Sequence, residues 1–453
     1  MGDLALAVLA FLVTVGVLVV IHEFGHYLMA RAMNVKILRF SVGFGRTVVL
    51  RRSGPDQTEW VLAAIPLGGY VKMADEREAP VSEADRPRAF NNKGVAARIA
   101  IVLAGPIANF LLALALYWVL FVTGMPGDKP ILADPGRNTP AAAAGFATGD
   151  IVTAVAGEPV VTWSDVRWLL LKEAVKRGVT EIEVQAGQGA HSTHRLDMSG
   201  LTKDDLDQDL LAKLGLRPFR PQVPSRLGHI VAASPAERAG LAEGDLVVAI
   251  DAKPIATWDD FTTVVRASPG RTLTLEVERG ARRFPVQAIP EARRNGSGQL
   301  GVEGSAELRA AYANMEITVR YGPVDAIWKS VQKVWDLSGF SVKMLGRMIV
   351  GDVSWKNLSG PITIADYAGQ SARLGWVTSL GFLALVSVSL GVLNLLPIPL
   401  LDGGHLVYYF AEIVRGKPVS ERTMEIGQRF GLALLLGLTF FAFYNDINRL
   451  FTG

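Results

Sequence analysis

The stretch His-Glu-Phe-Gly-His at residues 22–26 is the most chemically informative part of the chain. On a helix, positions i and i+4 lie on one face, so His22 and His26 can bind a single metal ion. Glu23 then lies next to that ion and can act as a general base toward a bound water. The chemistry that this spacing predicts is metal-assisted hydrolysis.

The position of this motif in the chain supports a functional interpretation. The motif lies in an apolar run that begins at Leu4, where two histidines and a glutamate are costly unless they face a polar interior. The same pattern on a helix is typical of zinc peptidases. The alternative is a structural role, in which both histidines only form hydrogen bonds within a helix bundle.

A third metal ligand has to come from elsewhere in the chain. A catalytic zinc ion commonly has three protein ligands and one open position for water. The chain has no cysteine, which excludes disulfides and thiol catalysis and limits the third ligand to His, Asp or Glu. The segment 394–405 follows an apolar run and is broken by Pro397 and Pro399. We predict Asp402 as the third ligand, and His405 remains the alternative on sequence geometry alone.

Four apolar runs predict membrane-spanning helices, because about 20 apolar residues cross a bilayer as a helix. Hydrophobic residues make up 50% of the chain and charged residues only 20%, against about 25% charged residues in ordinary globular proteins. The first run could instead be a signal peptide, but it has no Lys or Arg before Arg31. The predicted helices cover about 4–33, 97–123, 374–396 and 426–446.

The basic residues predict the orientation of these helices. Lys and Arg are frequent between the first and second runs. Arg415, Lys417, Arg422 and Arg429 lie between the third and fourth runs. The positive-inside rule places both regions in the cytoplasm. Both termini and the segment from about 125 to 371 then face outward, and we expect water to enter the site from the cytoplasmic side.

The outward-facing segment contains an internal repeat. Residues 140–165 and 235–260 align at a constant offset of 95 positions, with 13 of 26 positions identical. Each copy has a small-residue turn, a Gly-Asp pair, an alternating strand, a proline turn and a Trp-x-Asp that opens a helix. We predict two tandem domains of about 90 residues each.

Two further stretches leave alternatives open. Residues 324–350 have apolar residues at helical spacing, including Trp328 and Trp335, so a helix there could lie on the membrane surface, pack on the paired domains or belong to an ordinary core. His191 and His194 fall in a polar stretch, where a solvated loop is favoured over a metal site. With 46 basic and 43 acidic residues, the composition indicates no nucleic-acid partner.

The motif at 22–26, paired with the distant Asn-x-x-Pro-x-Pro-x-Leu-Asp-Gly stretch, resembles the site-2 proteases, a family of intramembrane zinc metalloproteases. The repeated segments resemble bacterial PDZ domains through their Ala-Gly-(Leu/Phe)-x-x-Gly-Asp stretch. The resemblance covers essentially the whole chain, including Gly105-Pro106-Ile-Ala-Asn109, Gly360-Pro361-Ile362 and Ser41-Val-Gly-Phe-Gly45.

This resemblance implies a multi-pass α-helical protein of the bacterial inner membrane. It would have four transmembrane helices, a membrane-associated β-hairpin at about 35–73, and two tandem PDZ-like α+β domains inserted in the periplasm between helices 2 and 3. The predicted domains are 1–124 and 372–453 for the two halves of the membrane domain, 125–221 and 222–305 for the PDZ-like domains, and 306–371 for an amphipathic periplasmic linker region.

The resemblance also implies a set of site residues. His22, His26 and Asp402 would bind Zn²⁺, Glu23 would be the catalytic base, and Asn394 would contact the substrate or the reaction centre. The substrate must be extended, because a helical amide hides its carbonyl, and we expect an edge strand near residues 43–45 to pair with it. The other predicted substrate-binding residues are Gly43, Phe44, Gly45, Pro397 and Pro399.

The implied substrates are single-span membrane proteins, namely an anti-sigma factor that has already been cut once and remnant signal peptides, in regulated intramembrane proteolysis of the envelope stress response. The PDZ-like domains would either bind a peptide or chain terminus, or exclude substrates with bulky outer domains. Two alternative functions are a non-catalytic PDZ membrane scaffold and a metal transporter. The intact motifs argue against the scaffold, and transport does not require a hydrolytic Glu23.

Overall fold

In the computed structural model, the chain is described from residue 2 to residue 452, apart from residues 177, 187–188, 203–209, 294–295, 352 and 356–359. The chain divides into two compact units. The first, here called the membrane unit, contains the residues up to 125 and those from 319 onward. The second, here called the repeat unit, contains residues 126–201 and 210–318.

Among the described residues, the elements at the two ends of the chain belong to the membrane unit and those in the middle belong to the repeat unit. In chain order, the helices are α1 (Gly2–Ala32), α2 (Val95–Thr123), α3 (Pro140–Ala144), α4 (Trp163–Ala174), α5 (Leu210–Leu214), α6 (Pro235–Arg238), α7 (Trp258–Arg266), α8 (Ala306–Ala313), α9 (Pro323–Ile349), α10 (Pro361–Leu374), α11 (Trp376–Leu395), α12 (Asp402–Arg415) and α13 (Glu421–Thr452). The strands are β1 (Ile37–Ser53), β2 (Thr58–Met73), β3 (Met125–Asp128), β4 (Ile151–Val155), β5 (Glu158–Pro159), β6 (Val179–Gln185), β7 (His191–Asp197), β8 (Leu227–Ile230), β9 (Leu246–Ile250), β10 (Lys253–Pro254), β11 (Leu273–Arg279), β12 (Arg282–Ala288), β13 (Glu291–Ala292), β14 (Gly298–Gln299), β15 (Val302–Gly304) and β16 (Glu316–Val319).

Four of the described helices are long and apolar enough to cross a membrane, which confirms the predicted number. The fourth begins at Glu421 rather than near Ile426, because Ser420 accepts a hydrogen bond from the Thr423 amide and so caps an additional polar turn. The candidate spans are Leu4–Ala32, Val95–Thr123, Trp376–Leu395 and Glu421–Asn448.

Helices α1 and α2 approach each other closely beside the predicted metal site. A methyl group at Gly25 would overlap the Ala104 carbonyl oxygen, so glycine is what permits this approach. Helix α2 also packs on α11, and α1 contacts β2 and α10. One face of α1 near His22 is therefore covered by other elements of the membrane unit.

Strands β1 and β2 form an antiparallel hairpin that bends back on itself. Residues 39–42 have Cα partners on both sides, in 69–72 and in 59–62, whereas 47–53 pair only with 58–63. The bend occurs where Gly43 and Gly45 adopt φ angles of 91° and 86°, a conformation that other residues rarely adopt. Among the described residues, the unpaired edges of this sheet are 47–53 and 65–73. Exposed apolar side chains near the bend are Phe44, Val48, Val49, Leu50, Leu62 and Ile65.

The repeat unit contains two sheets with the same strand order. One sheet runs β5-β4-β6-β7 and the other β10-β9-β11-β12, with all neighbours antiparallel. The helix after each proline turn begins at Trp163 or Trp258 as predicted, because Thr162 and Thr257 form capping boxes with the aspartates three positions later. The sequence repeat is therefore also a structural repeat.

Two local predictions in the repeat unit are wrong. The small-residue turns are the short helices α3 and α6, because Thr139 and Ser234 cap them and proline follows at the first helical position. His191 and His194 lie on strand β7 instead of in a loop, because β7 pairs with β6 along its length.

The predicted helix at 324–350 is present as α9, and it packs on α2 and α11. Its buried residues include Ala326, Ser330 and Leu337, whereas Trp328 and Trp335 are 63% and 78% exposed. Packing on transmembrane helices thus covers one face of α9 and leaves an apolar face open.

Candidate active site

Three side chains from two distant parts of the chain converge in the membrane unit. His22 and His26 lie one turn apart on α1, and Asp402 is the first residue of α12. The Nε2 atoms of the two histidines are 3.2 Å apart, and they lie 3.2 Å and 3.6 Å from the Asp402 carboxylate oxygens. Their side chains are between 11% and 17% exposed. Among the described residues, these three side chains form a group whose geometry suits a metal ion.

The turn between α11 and α12 brings Asp402 to the histidines. Pro397 and Pro399 interrupt the helical hydrogen bonds, and Leu400 has a φ angle of 89°. Helix α12 then restarts against the end of α11, where a side chain on Gly403 would overlap the Leu395 and Leu396 carbonyl oxygens. The chain therefore reverses in a few residues and places the Asp402 carboxylate at the depth of His22.

Helix α12 is held in this position by a contact with α2. The Arg98 guanidinium forms an ion pair with Glu412 at 2.6 Å and lies 4.9 Å from the centre of the Tyr409 ring. The side chains of Arg98 and Glu412 are 9% and 14% exposed. Since a buried ion pair loses much of its value when its geometry changes, this contact restricts where α12 can lie relative to α2.

The outer nitrogens of both histidines face α2. His26 Nδ1 lies 2.8 Å from the Ile101 carbonyl oxygen, which can only accept, so the Nδ1 atom carries the proton and Nε2 is left free. His22 Nδ1 lies 3.2 Å from the side-chain amide of Asn109, which is fully buried. A methyl group at Gly105 would overlap His26 Nε2, so only glycine fits between these two contacts.

The three inward-facing atoms fit a zinc ion. Tetrahedral ligands bound at about 2.1 Å lie about 3.4 Å from one another, close to the separations found here. Asp402 Oδ2 is buried and has no hydrogen bond within the described part of the chain, as expected for a carboxylate oxygen that needs a cation. Two imidazoles and one carboxylate are also a donor set that catalytic zinc sites use.

Glu23 lines a cavity of about 700 Å³ within the membrane unit. His26, Asp402 and His405 line the same cavity. Strand β2 forms one wall, and a methyl group at Gly69 would lie 3.2 Å from Glu23 Cγ. The lining also includes polar residues that water can solvate, namely Arg77, Glu78, Glu421, Glu425 and Gln428.

The structure separates the two candidates for the third ligand. Asp402 lies within 3.6 Å of both histidines, whereas His405, one helical turn later, lines the cavity without joining this group. Asn394 lies in the last turn of α11 and does not line the cavity. Pro397 does not line it either, and Pro399 packs against Gly431 of α13.

The glycine-rich bend of the hairpin also lies outside the cavity wall. Gly43, Phe44 and Gly45 are not among its lining residues, but the Phe44 ring stacks on Tyr70, which is one of them. The part of the hairpin that borders the cavity is the stretch 70–73 of β2. The sequence contained no chemical signal for this stretch, because backbone proximity rather than side-chain type places it there.

Asn109 and Ile101 are further site residues that sequence reasoning did not assign. Asn109 belongs to the Gly-Pro-x-x-Asn motif noted in the sequence, and its polarity inside an apolar run was the available signal. Ile101 acts through its carbonyl oxygen, so its side chain carries no such signal.

His191 and His194 do not form a second metal site. Residues three apart on a strand point to opposite faces, and His191 is exposed. His194 packs on the Phe146 ring at 4.7 Å, and its Nδ1 donates to the Ala144 carbonyl oxygen at 2.8 Å. These contacts explain His194 as a packed structural residue.

Two solved PDZ domains of SdrC-like proteins are similar to part of the chain. The one from Listeria innocua has 18% identity and a TM-score of 0.17, covering 18% of this chain and 92% of its own. The one from Listeria monocytogenes has 16% identity and a TM-score of 0.18, covering 20% and 97%.

Relatives of similar length match almost the whole chain. A protein named as a zinc metalloprotease from Neisseria meningitidis serogroup A is 43% identical over 446 residues, covering 98% of this chain and 99% of its own. The regulator of sigma-E protease RseP from Escherichia coli K12 is 41% identical over 442 residues, covering 97% and 98%. The sequence pattern of Peptidase family M50 matches residues 10–438. The chain therefore belongs to peptidase family M50, the site-2 protease family, and is a zinc metalloprotease.

Proposed function

We propose that this protein cleaves the membrane-spanning segments of single-span membrane proteins, with His22, His26 and Asp402 as the zinc ligands and Glu23 as the catalytic base. The observation that carries the proposal is the convergence of His22, His26 and Asp402 beside a cavity that Glu23, His26 and Asp402 line, in a unit that contains long apolar helices. A hydrolytic site that opens among such helices suits a peptide bond within the membrane.

The chemistry of the site follows from its residues. When bound, zinc supplies a Lewis acid that activates water and stabilises negative charge on the scissile carbonyl. The Glu23 carboxylate accepts a proton from the attacking water and then donates it to the nitrogen of the leaving amine. The cavity that Glu23 lines also has polar residues in its wall, and it provides the path by which water reaches Glu23.

The substrate is bound as an extended strand by β2. Its outer edge at 65–73 is unpaired within the described residues, and its stretch 70–73 borders the cavity beside Glu23 and His26. Backbone groups on this edge can pair with a substrate strand, as in other cases of strand addition. Residues 43–45 then act on the substrate indirectly, because the Phe44 ring stacks on Tyr70 of this edge. Asn394, Pro397 and Pro399 also act indirectly, by shaping the end of α11 and the turn that follows it.

The biological substrates are an anti-sigma factor that has been cut once and remnant signal peptides, in the envelope stress response. The full-length similarity to proteins named as regulators of sigma-E supports this assignment. The two repeated domains are PDZ-like and lie in the periplasm with both termini, while the cavity opens toward the cytoplasm of a bacterial inner-membrane protein. Their sequence repeat and shared strand order support the tandem arrangement.

The function is tested by Glu23→Gln in the full chain, co-expressed with a single-span reporter. We expect cleavage to fall by at least 10³-fold, because glutamine cannot accept the proton, while zinc content measured on the purified protein stays at the wild-type level. Cleavage that persists in this variant would identify another catalytic base. Zinc absent from the wild type, with folding intact, would favour the scaffold function.

A further inference from the structure

Three residues on one face of α2 lie against the two histidines of α1. Ile101, Gly105 and Asn109 are spaced at i, i+4 and i+8, so they lie on one face of the helix. Ile101 meets His26, Gly105 leaves room for both rings, and Asn109 meets His22. Of these three α2 residues, Asn109 has a polar side chain, and the proposed hydrolytic mechanism assigns no role to it.

Asn109 is buried and is held by contacts with both α11 and α1. Its side chain is 0% exposed, and its backbone carbonyl oxygen accepts a hydrogen bond from Ser387 Oγ on α11 at 2.8 Å. Its Nδ2 atom lies 3.2 Å from His22 Nδ1. Its Oδ1 atom is buried and has no hydrogen-bond partner within the described residues. A buried amide oxygen without a partner is costly, so its presence requires an explanation.

The hydrogen-bonding needs of a metal-binding histidine provide that explanation. A neutral imidazole that binds metal through Nε2 carries its proton on Nδ1 and needs an acceptor there. The Nδ2 group of Asn109 can only donate. Rotating the amide by 180° exchanges two groups of nearly equal size and places Oδ1 opposite His22 Nδ1. That orientation pairs the histidine proton with the previously unpartnered oxygen, and Nδ2 takes the position that Oδ1 occupied.

We propose that Asn109 is a positioning residue that accepts a hydrogen bond from His22 Nδ1 through Oδ1 when His22 Nε2 binds the metal ion. This inference rests on the proposed zinc-peptidase site. The helix α2 then supplies an acceptor for both histidines, a backbone carbonyl at Ile101 for His26 and a side-chain oxygen at Asn109 for His22. Loss of such an outer acceptor typically lowers metal affinity by about 10- to 100-fold.

The test measures zinc affinity of the purified full chain by competition with a chromophoric chelator. Asn109→Leu removes the acceptor at similar volume, and we expect a 10- to 100-fold weaker zinc affinity. Asn109→Asp keeps acceptor oxygens and removes the donor, and we expect an affinity within about threefold of the wild type. Asn445→Leu, which removes another buried helix asparagine far along α13, serves as the matched control and should leave zinc affinity unchanged.

The outcomes separate this inference from the proposed function. Wild-type affinity in Asn109→Leu would overturn it, as would an equal loss in the Leu and Asp variants, because that pattern indicates a donor or a packing role. A wild-type chain that binds no zinc would instead overturn the zinc site itself. Thermal unfolding without metal establishes that each variant folds. If either variant fails to fold, Asn109→Ser provides the same test, since serine packs well between membrane helices and is too short to reach His22.

Discussion

At the scale of single residues, the decisive contrast is between Asp402 and His405. Both lie near the turn after α11, and either residue type can bind zinc. The distances favour Asp402, whose carboxylate oxygens lie 3.2 Å and 3.6 Å from the two histidine nitrogens. His405 faces the same cavity one turn further along α12 and is available for contact with water or substrate.

This contrast predicts different zinc contents in two variants. We expect Asp402→Asn to lower zinc content to a small fraction of the wild type, because a neutral amide is a much weaker ligand than a carboxylate. We expect His405→Gln to retain zinc at the wild-type level. Elemental analysis of the two purified proteins checks this prediction. Loss of zinc from His405→Gln with retention in Asp402→Asn would exchange the two roles.

At the scale of elements, the hairpin matters through one edge of its sheet. Residues 39–42 are paired on both sides, so they cannot accept another strand without giving up an existing one. The outer edge at 65–73 borders the cavity through 70–73, whereas the other outer edge, 47–53, does not. The two edges therefore provide a matched comparison within one hairpin.

Single proline substitutions distinguish the two edges. Proline removes a backbone N–H donor. We therefore expect Tyr70→Pro, Val71→Pro or Lys72→Pro to reduce reporter cleavage at least tenfold at those positions whose N–H points away from residues 39–42, toward the outer edge. Substitutions at Val48, Val49 and Leu50 should leave cleavage within about twofold. Cleavage assays with melting temperatures of each variant check this. Equal effects at both edges would contradict strand pairing at 70–73.

Ionisable residues in the repeat unit distinguish its two four-stranded sheets. Asp245 is buried, which by itself raises its pKa, but hydrogen bonds from Arg279 and the Ala242 amide outweigh burial and bring the pKa below its ordinary value. Asp150 occupies the matching position in the first copy, where the strand registers place Ala186 at the position that corresponds to Arg279. The second sheet thus has a charge pair at a position where the first has an apolar residue.

This difference predicts a pH-dependent effect confined to the second domain. Because the pKa of Asp245 is lowered by folding, its stabilisation is complete above the ordinary carboxyl pKa and is lost as the pH falls through the lowered value. We expect Asp245→Asn to reduce hydrogen-exchange protection of β9 and β11 at neutral pH and to have little effect in strong acid. Asp150→Asn is the matched control and should have a smaller effect on β4 and β6. Equal effects of both variants at neutral pH would contradict the role of Arg279.

At the scale of the whole molecule, the two ends of the chain build one membrane unit around the site, and the repeated segment forms a separate unit. Hydrolysis at membrane depth requires water, and the cavity lining includes charged residues from β2, the following loop and α13. The positive-inside rule predicts that these charged residues lie on the cytoplasmic side. The face of the membrane that supplies water therefore depends on how the whole chain is oriented in the bilayer.

The absence of cysteine makes the orientation directly measurable. We expect single cysteines at Arg77 or Lys417 to react with a membrane-impermeant maleimide only after the inner face is exposed, because these positions belong to the predicted cytoplasmic regions. A cysteine at Lys253 in the repeat unit should react from the outer face of intact spheroplasts. Cysteines near His22 that react only from the outer face would overturn the predicted entry of water from the cytoplasm.

The sequence alone determined what depends on local periodicity and residue type. Four apolar runs predicted the four spans, the 95-residue offset predicted the structural repeat, and the spacing of His22 and His26 predicted that they share a helix face. Such properties follow from neighbouring residues, whose relative positions are set by the backbone itself.

Only the tertiary structure decided what depends on residues far apart in the chain. It placed Asp402 rather than His405 with the histidines, brought the stretch 70–73 to the cavity, and placed Asn109 against His22. These contacts are set by how closely α1, α2 and α12 pack, which depends on glycines at positions such as 25, 105 and 403. Such packing is a sum of many small contacts over the whole membrane unit, so no single stretch of sequence specifies it.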